Sequence, residues 1–119
     1  AGLAGYPFRT PYASAKWAVI GFTKSLAAEV GPWNIRVNAI CPGSVAGERM
    51  DQVIAAEATA SGRTAEAVRD DYTKMVSLRR FVEPEEIADA TLFLASPGAK
   101  MISGEALSVD GHAETYHSE

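Results

Sequence analysis

The chain has 119 residues, with 11 Lys and Arg against 15 Asp and Glu for a formal charge of −4, and 47% of it is apolar. That composition is ordinary for a soluble globular domain, and the acidic balance excludes the electrostatic footprint of a nucleic-acid binder. No apolar run approaches the ~20 residues needed to cross a bilayer. A single cysteine, Cys41, makes no internal disulfide, and with two histidines it makes a poor metal site. Nothing resembles a signal peptide, so a cytoplasmic location is expected, although the sequence opens at Ala1 without Met.

Residues 1–11, AGLAGYPFRTP, hold two Gly and two Pro and read as an irregular opening segment. From Tyr12 to about Val30 the pattern is helical. Ala15, Val19, Phe22, Leu26 and Val30 form one apolar stripe, and Ala13, Trp17, Ile20 and Ala27 form a second. A helix apolar on two sides must be covered on two sides, either inside a core or against a partner subunit. Gly31-Pro32 ends it, with Gly as the cap and Pro unable to continue the ladder.

Ile35 to Cys41 then reads as a short strand stopped by Pro42-Gly43. Residues 48–61 and 64–77 are two amphipathic helical stretches parted by Ser61-Gly62, together a solvated lid spanning 46–80. Pro84 suits a first helical position, with Glu83, Glu85 and Glu86 at the positive end of the helix dipole. Ile87, Ala88, Thr91, Leu92 and Ala95 supply its buried face before Pro97-Gly98 stops it. A last strand, Ala106 to Val109, ends at Asp110-Gly111. Short apolar strands joined by long helical crossovers argue for parallel α/β architecture. Two strands with four to five helices leave much surface uncovered, so the chain is read as part of a larger sheet.

Tyr12 and Lys16 stand four apart at the start of a helix, on one face a turn apart. A tyrosine ordinarily ionises near pKa ~10. A neighbouring ammonium favours the phenolate and suits it to reversible proton exchange with a carbonyl or alcohol oxygen. Taken alone, the spacing favours a packed tyrosine and a solvated lysine over a catalytic pair.

The surroundings tip that balance. Tyr12-Ala13-Ser14-Ala15-Lys16, then Asn34 to Gly43 (NIRVNAICPG), then Ile102 to Gly111 (ISGEALSVDG) resemble the short-chain dehydrogenase/reductase family in order and spacing. Leu78-Arg79-Arg80-Phe81 followed by Glu83-Pro84-Glu85-Glu86-Ile87-Ala88 adds a fourth block. The resemblance covers nearly the whole chain and is similar to the group containing 3-oxoacyl-carrier-protein reductases and many sugar and alcohol dehydrogenases.

It implies the C-terminal part of a Rossmann-like doubly wound parallel sheet, with NAD or NADP as cofactor and a small carbonyl or alcohol as substrate. Tyr12 would be the catalytic acid/base. Lys16 would lower its pKa and bind the nicotinamide ribose, so both residues also touch cofactor. Pro42, Gly43 and Val45 match the loop lying against the nicotinamide, with Val45 offering backbone contacts to the carboxamide. No metal is implied. The helix from 12 to 30 would pack across a dimer interface, giving a homodimer or homotetramer.

The departures are equally specific. The family's catalytic serine, about thirteen positions before the tyrosine, would fall before Ala1, and Ser14 faces away from Tyr12 on a helix. No two glycines are two apart, so no Gly-rich phosphate loop is visible. Gly47 stands where the family often has Thr, and the stretch from Ala46 to Ser77 is longer than in the fatty-acid-type members. The expectation is therefore a C-terminal fragment: active in its full-length form, but alone inactive, unable to bind nucleotide and prone to aggregate. The alternative is a non-catalytic assembly module whose apolar helix 12–30 mediates oligomerisation.

Other residues take plainer readings. Cys41 is a small hydrophobe, Trp17 and Trp33 are packing anchors, and Met50, Met75 and Met101 are filler. His112, His117 and the pair Arg79-Arg80 are solvated.

Overall fold

The computed structural model describes residues 10–113, so most of the opening segment and His117 lie outside the described residues. Two compact units divide the chain: Ala1–Cys41 with Asp89–Ser108, and Pro42–Ala88 with Val109–Glu119. No helix among the described residues is long and apolar enough to cross a membrane.

In the first unit, α1 runs Thr10–Val30. Pro11 sits in its opening turn, where a missing N–H breaks no intrahelical bond. Ile20 and Thr23 are buried, and the Thr23 hydroxyl donates to the Val19 carbonyl at 2.7 Å. The two apolar stripes are otherwise largely uncovered: Trp17, Val19 and Phe22 are 49%, 54% and 65% exposed. Gly31 does not cap the helix as expected. A 3-10 turn, Gly31–Trp33, follows, and Asn34 takes the left-handed cap (φ 59). Proline at the start of the turn holds it tight, and Asn tolerates the left-handed conformation. Trp33 is 73% exposed, so among the described residues it is not the packing anchor expected of it.

Strands β1 (Ala39–Pro42) and β2 (Ala106–Val109) pair in parallel, opening with the Ala39 N–H on the Glu105 carbonyl at 2.8 Å. The expected strand from Ile35 is thus four residues shorter at its start. There, beside one backbone bond from the Gly104 N–H to the Val37 carbonyl at 2.7 Å, side chains take over from the ladder. The Asn38 amide donates to the Ile102 carbonyl and accepts from the Glu105 N–H. Arg36 also donates to the Ile102 carbonyl, and the Val37 N–H donates to the Ser103 hydroxyl oxygen. These local polar groups offer the backbone an alternative to strand pairing. Lys24 on α1 donates to the Gly104 carbonyl at 2.8 Å and ties the helix to the approach to β2. Cys41 is half-buried with a free thiol.

In the second unit, α2 (Glu48–Ser61) and α3 (Ala65–Lys74) form a hairpin. Gly62 (φ 71) caps α2, a left-handed position that costs glycine nothing. Thr64 caps α3, its hydroxyl accepting the Ala67 N–H at 3.1 Å. The second helix ends three residues short of the expected Ser77, because the Met75 and Val76 N–H groups turn back onto Tyr72 and Thr73. Ile54, Ala58, Val68 and Phe81 form a core, with Ala46, Met50 and Tyr72 against it. The Arg69 guanidinium lies 5.4 Å over the Phe81 ring and also pairs with Asp51 at 2.8 Å.

Helix α4 spans Pro84–Ala95, as expected from Pro84. Its expected face is wrong in detail. Leu94 is buried and Ile87 and Ala90 are half-buried, whereas Leu92 is 69% exposed and Ala88, Thr91 and Ala95 are exposed. The helix is apolar around most of its circumference, so composition does not choose which line turns inward. Met101 is 91% exposed, and the filler reading fails there, though Met50 fits it.

Candidate active site

Tyr12 and Lys16 both lie in the first turns of α1 in the first unit. At ~100° per residue, positions four apart are separated by about 40° around the axis and one turn along it. The helix therefore sets the spacing that the sequence motif requires. Lys16 is exposed.

Pro42, Gly43 and Val45 belong to the second unit, where the chain leaves β1. Gly43 donates its N–H to the Val109 carbonyl at 3.0 Å. A Cβ at Gly43 would lie 2.7 Å from the Asp110 Cβ and 2.9 Å from its Cα, closer than real atoms approach. Only glycine lets these two backbones meet. The loop after β1 is held down at its first residue by that contact.

Val45 is bridged in parallel to Val82. The Val82 N–H donates to the Ser44 carbonyl at 2.9 Å, and its carbonyl accepts the Ala46 N–H at 2.8 Å. In a parallel ladder a residue bonds to the neighbours of the one opposite, leaving the opposite residue's own groups turned the other way. The Val45 N–H and C=O are that pair, and neither has a backbone partner among the described residues. A donor and an acceptor stand side by side, directed away from Val82.

Arg80 is exposed, as expected, but not free: it pairs with Glu86, and the two flank Val82 along the chain, a pairing that the solvated reading of Arg79-Arg80 did not foresee. The Arg80 guanidinium meets both Glu86 carboxylate oxygens at 2.7 Å. It also donates to the Phe81 carbonyl at 3.1 Å, while Glu86 accepts the Glu83 N–H at 2.8 Å. The fork of Arg80, then the Glu83 N–H, hold the Glu86 carboxyl down at a pKa of about 2. The available signal was the Glu three positions into a helix, whose side chain reaches back to the capping N–H.

His112 is exposed, as expected, but not free: its Nδ1 meets the Ser77 hydroxyl at 2.5 Å. Ser77 and Leu78 also donate N–H bonds to the His112 and Gly111 carbonyls. In the first unit, Phe93, Leu94, Met101, Ile102, Ser103, Glu105 and Leu107 line an open, mostly apolar hollow of about 340 Å³. None of the expected site residues lines it. Among the described residues no cluster of three His, Cys, Asp or Glu is placed to hold a metal.

Residues 1–112 match the sequence profile of the family described as enoyl-(acyl carrier protein) reductase. The chain belongs to the short-chain dehydrogenase/reductase family. Within that family it is 46% identical over 110 residues to the 3-oxoacyl-(acyl-carrier-protein) reductase FabG of Chlamydia trachomatis, covering 92% of this chain and 40% of that protein. An actinorhodin polyketide ketoreductase variant crystallised with NADPH superposes with a TM-score of 0.85 at 34% identity, covering 97% of this chain and 44% of that one. An NAD+-bound xylitol dehydrogenase gives 0.81 at 28% identity, over 94% and 45%. The fold class is thus Rossmann-like α/β, as the resemblance implied. The chain spans about 40% of the length of the curated relatives it matches.

Proposed function

We propose that this chain carries the proton-handling and nicotinamide-side residues of an oxidoreductase that uses NAD(H) or NADP(H) to interconvert a small-molecule carbonyl and its alcohol. The observation that carries this reading is the helical spacing of Tyr12 and Lys16 in α1, inside a chain of this family. In this reading the Tyr12 hydroxyl gives its proton to the substrate oxygen on reduction and takes it back on oxidation. The Lys16 ammonium stabilises the phenolate between turnovers and hydrogen-bonds the ribose of the cofactor. When bound, the nicotinamide supplies or accepts the hydride.

The loop after β1 fits such a group. A primary carboxamide presents an acceptor oxygen and an NH2 group with two donors, and the Val45 N–H and C=O match the oxygen and one of those donors. Pro42 and Gly43 would flatten the loop against the ring. The α2–α3 hairpin, with residues 46–80, would serve as the lid that selects substrate. The relatives span a ketoreductase with NADPH and a dehydrogenase with NAD+, so both cofactors stay within the proposal. A half-buried free thiol at Cys41 accords with a cytoplasmic home.

The test is Tyr12→Phe in the protein that carries this chain. Loss of the proton donor should lower kcat by at least 100-fold while cofactor Kd changes less than about threefold, because the nucleotide contacts remain. Retention of wild-type kcat would defeat the assignment. A loss of cofactor affinity equal to the loss of rate would move Tyr12 from proton transfer to binding.

A further inference from the structure

We infer that Arg80, locked by Glu86, is a positioning residue that sets the direction of the Val45 amide and carbonyl through Val82. The inference rests on the proposal that those two groups receive a nicotinamide carboxamide. All of the contacts involved lie within the second unit.

Val82 is the only residue between two anchored peptide groups. On its N-terminal side the Phe81 carbonyl accepts from the Arg80 guanidinium. On its C-terminal side the Glu83 N–H donates to the Glu86 carboxylate, which is itself held by both arms of Arg80. One ion pair therefore fixes the chain before and after Val82. Val82 is 6% exposed, and beside it the buried Phe81 ring packs into the hairpin core, which leaves the segment little room to slide.

What Val82 does from that position is bond only to the main chain on either side of Val45. Its N–H holds the Ser44 carbonyl and its carbonyl holds the Ala46 N–H. These two bonds rotate the intervening peptide groups so that the Val45 N–H and C=O point outward. Gly43, pressed on Asp110, pins the other end of the same loop. If the Arg80 fork were absent, Val82 would keep its buried side chain but lose the anchor on the Phe81 carbonyl, and the Glu86 carboxylate that caps the Glu83 N–H would lose the fork that fixes its direction. The Val45 groups would then be present but imprecisely aimed, and hydrogen-bond strength falls steeply with angle.

The pair is exposed, with side chains 53% and 38% accessible, so its geometry carries more consequence than its contribution to stability. Arg is suited to this and Lys is not, because a planar fork fixes direction where a point charge does not.

The experiment uses the protein that carries this chain, with Arg80→Met and Arg80→Lys. The first readout is amide exchange without cofactor, by mass spectrometry of peptides covering residues 43–47 and 80–86. Exchange there should rise at least tenfold in Arg80→Met and less in Arg80→Lys, with the α2–α3 peptides unchanged as a control for folding. The second readout is the ratio of Kd values for the oxidised dinucleotide and its 3-acetylpyridine analogue, in which a methyl replaces the carboxamide nitrogen.

Wild type should prefer the natural cofactor, and Arg80→Met should shrink that preference by threefold or more, with Arg80→Lys between. A general loss of fold would weaken both ligands alike and leave the ratio intact. Unchanged exchange at 43–47, or an unchanged ratio in the variants, overturns the positioning role while leaving the carboxamide reading in place. A wild-type protein indifferent to the analogue overturns the carboxamide reading, and this inference with it.

Discussion

Glu86 is an exposed carboxyl held at a pKa of about 2, chiefly by the Arg80 fork and then by the Glu83 N–H. An acid whose folded pKa is depressed adds stability above its unfolded value of 4.5 and loses it as pH falls toward 2. Wild type should therefore melt above Glu86→Gln at pH 6, and the gap should close between about pH 4.5 and pH 2. Thermal melts of the two proteins across that range check it, and 1 M salt should narrow the gap at pH 6. Asp71 is lowered in the same sense by Arg63 and then Lys74, so the Glu86→Gln background isolates one carboxyl from the other. At this scale the sequence was uneven in what it disclosed. Tyr12 and Lys16 are legible because helical period alone sets their relation. Arg80 is not, because its importance comes from Val45, a residue far along the chain that only the bridge to Val82 brings beside it.

The α2–α3 hairpin is the element with the most complete internal packing. Ile54 and Val68 are each 1% exposed, with Phe81 and Ala58 around them. Removing three carbons in Ile54→Ala should cost about 2–4 kcal/mol, the usual range for an unfilled aliphatic cavity. Urea unfolding of the protein carrying this chain, followed at the hairpin, measures it; a change below about 0.5 kcal/mol would mean the core collapses around the gap. Both helices were readable from amphipathic period and the Ser61-Gly62 break, which are local signals, whereas the Thr64 cap emerged only in the structure. The early end of α3 was not, since Met75 and Val76 fold back into a turn that leads to the pairing of Ser77 with His112. The same division holds for β1. Its expected residues Ile35 to Asn38 are strand-like by composition, yet the Asn38 amide takes the Glu105 N–H that a longer ladder would need, and the Val37 carbonyl accepts the Gly104 N–H instead.

For the molecule as a whole, α1 decides the most. Val19 and Phe22 on one stripe remain more than half exposed, and Trp17 on the other is 49% exposed, among the described residues. Large apolar side chains in such density on a single helix mark a surface that another surface covers. Self-association through α1 in the protein that carries this chain is the proposal, and Phe22→Asp should shift sedimentation toward smaller species while leaving helix content unchanged. An unaltered sedimentation profile would show that Phe22 is covered within the subunit instead. By itself the sequence determined the order of helices and strands, the four-residue spacing of Tyr12 and Lys16, and the family, because periods, caps and motifs are written within a few residues. The tertiary structure alone decided which line of α4 turns inward, where β1 begins, and which way the Val45 backbone faces. Those outcomes depend on contacts between residues distant along the chain, and apolar or polar character at one position carries no address for its partner.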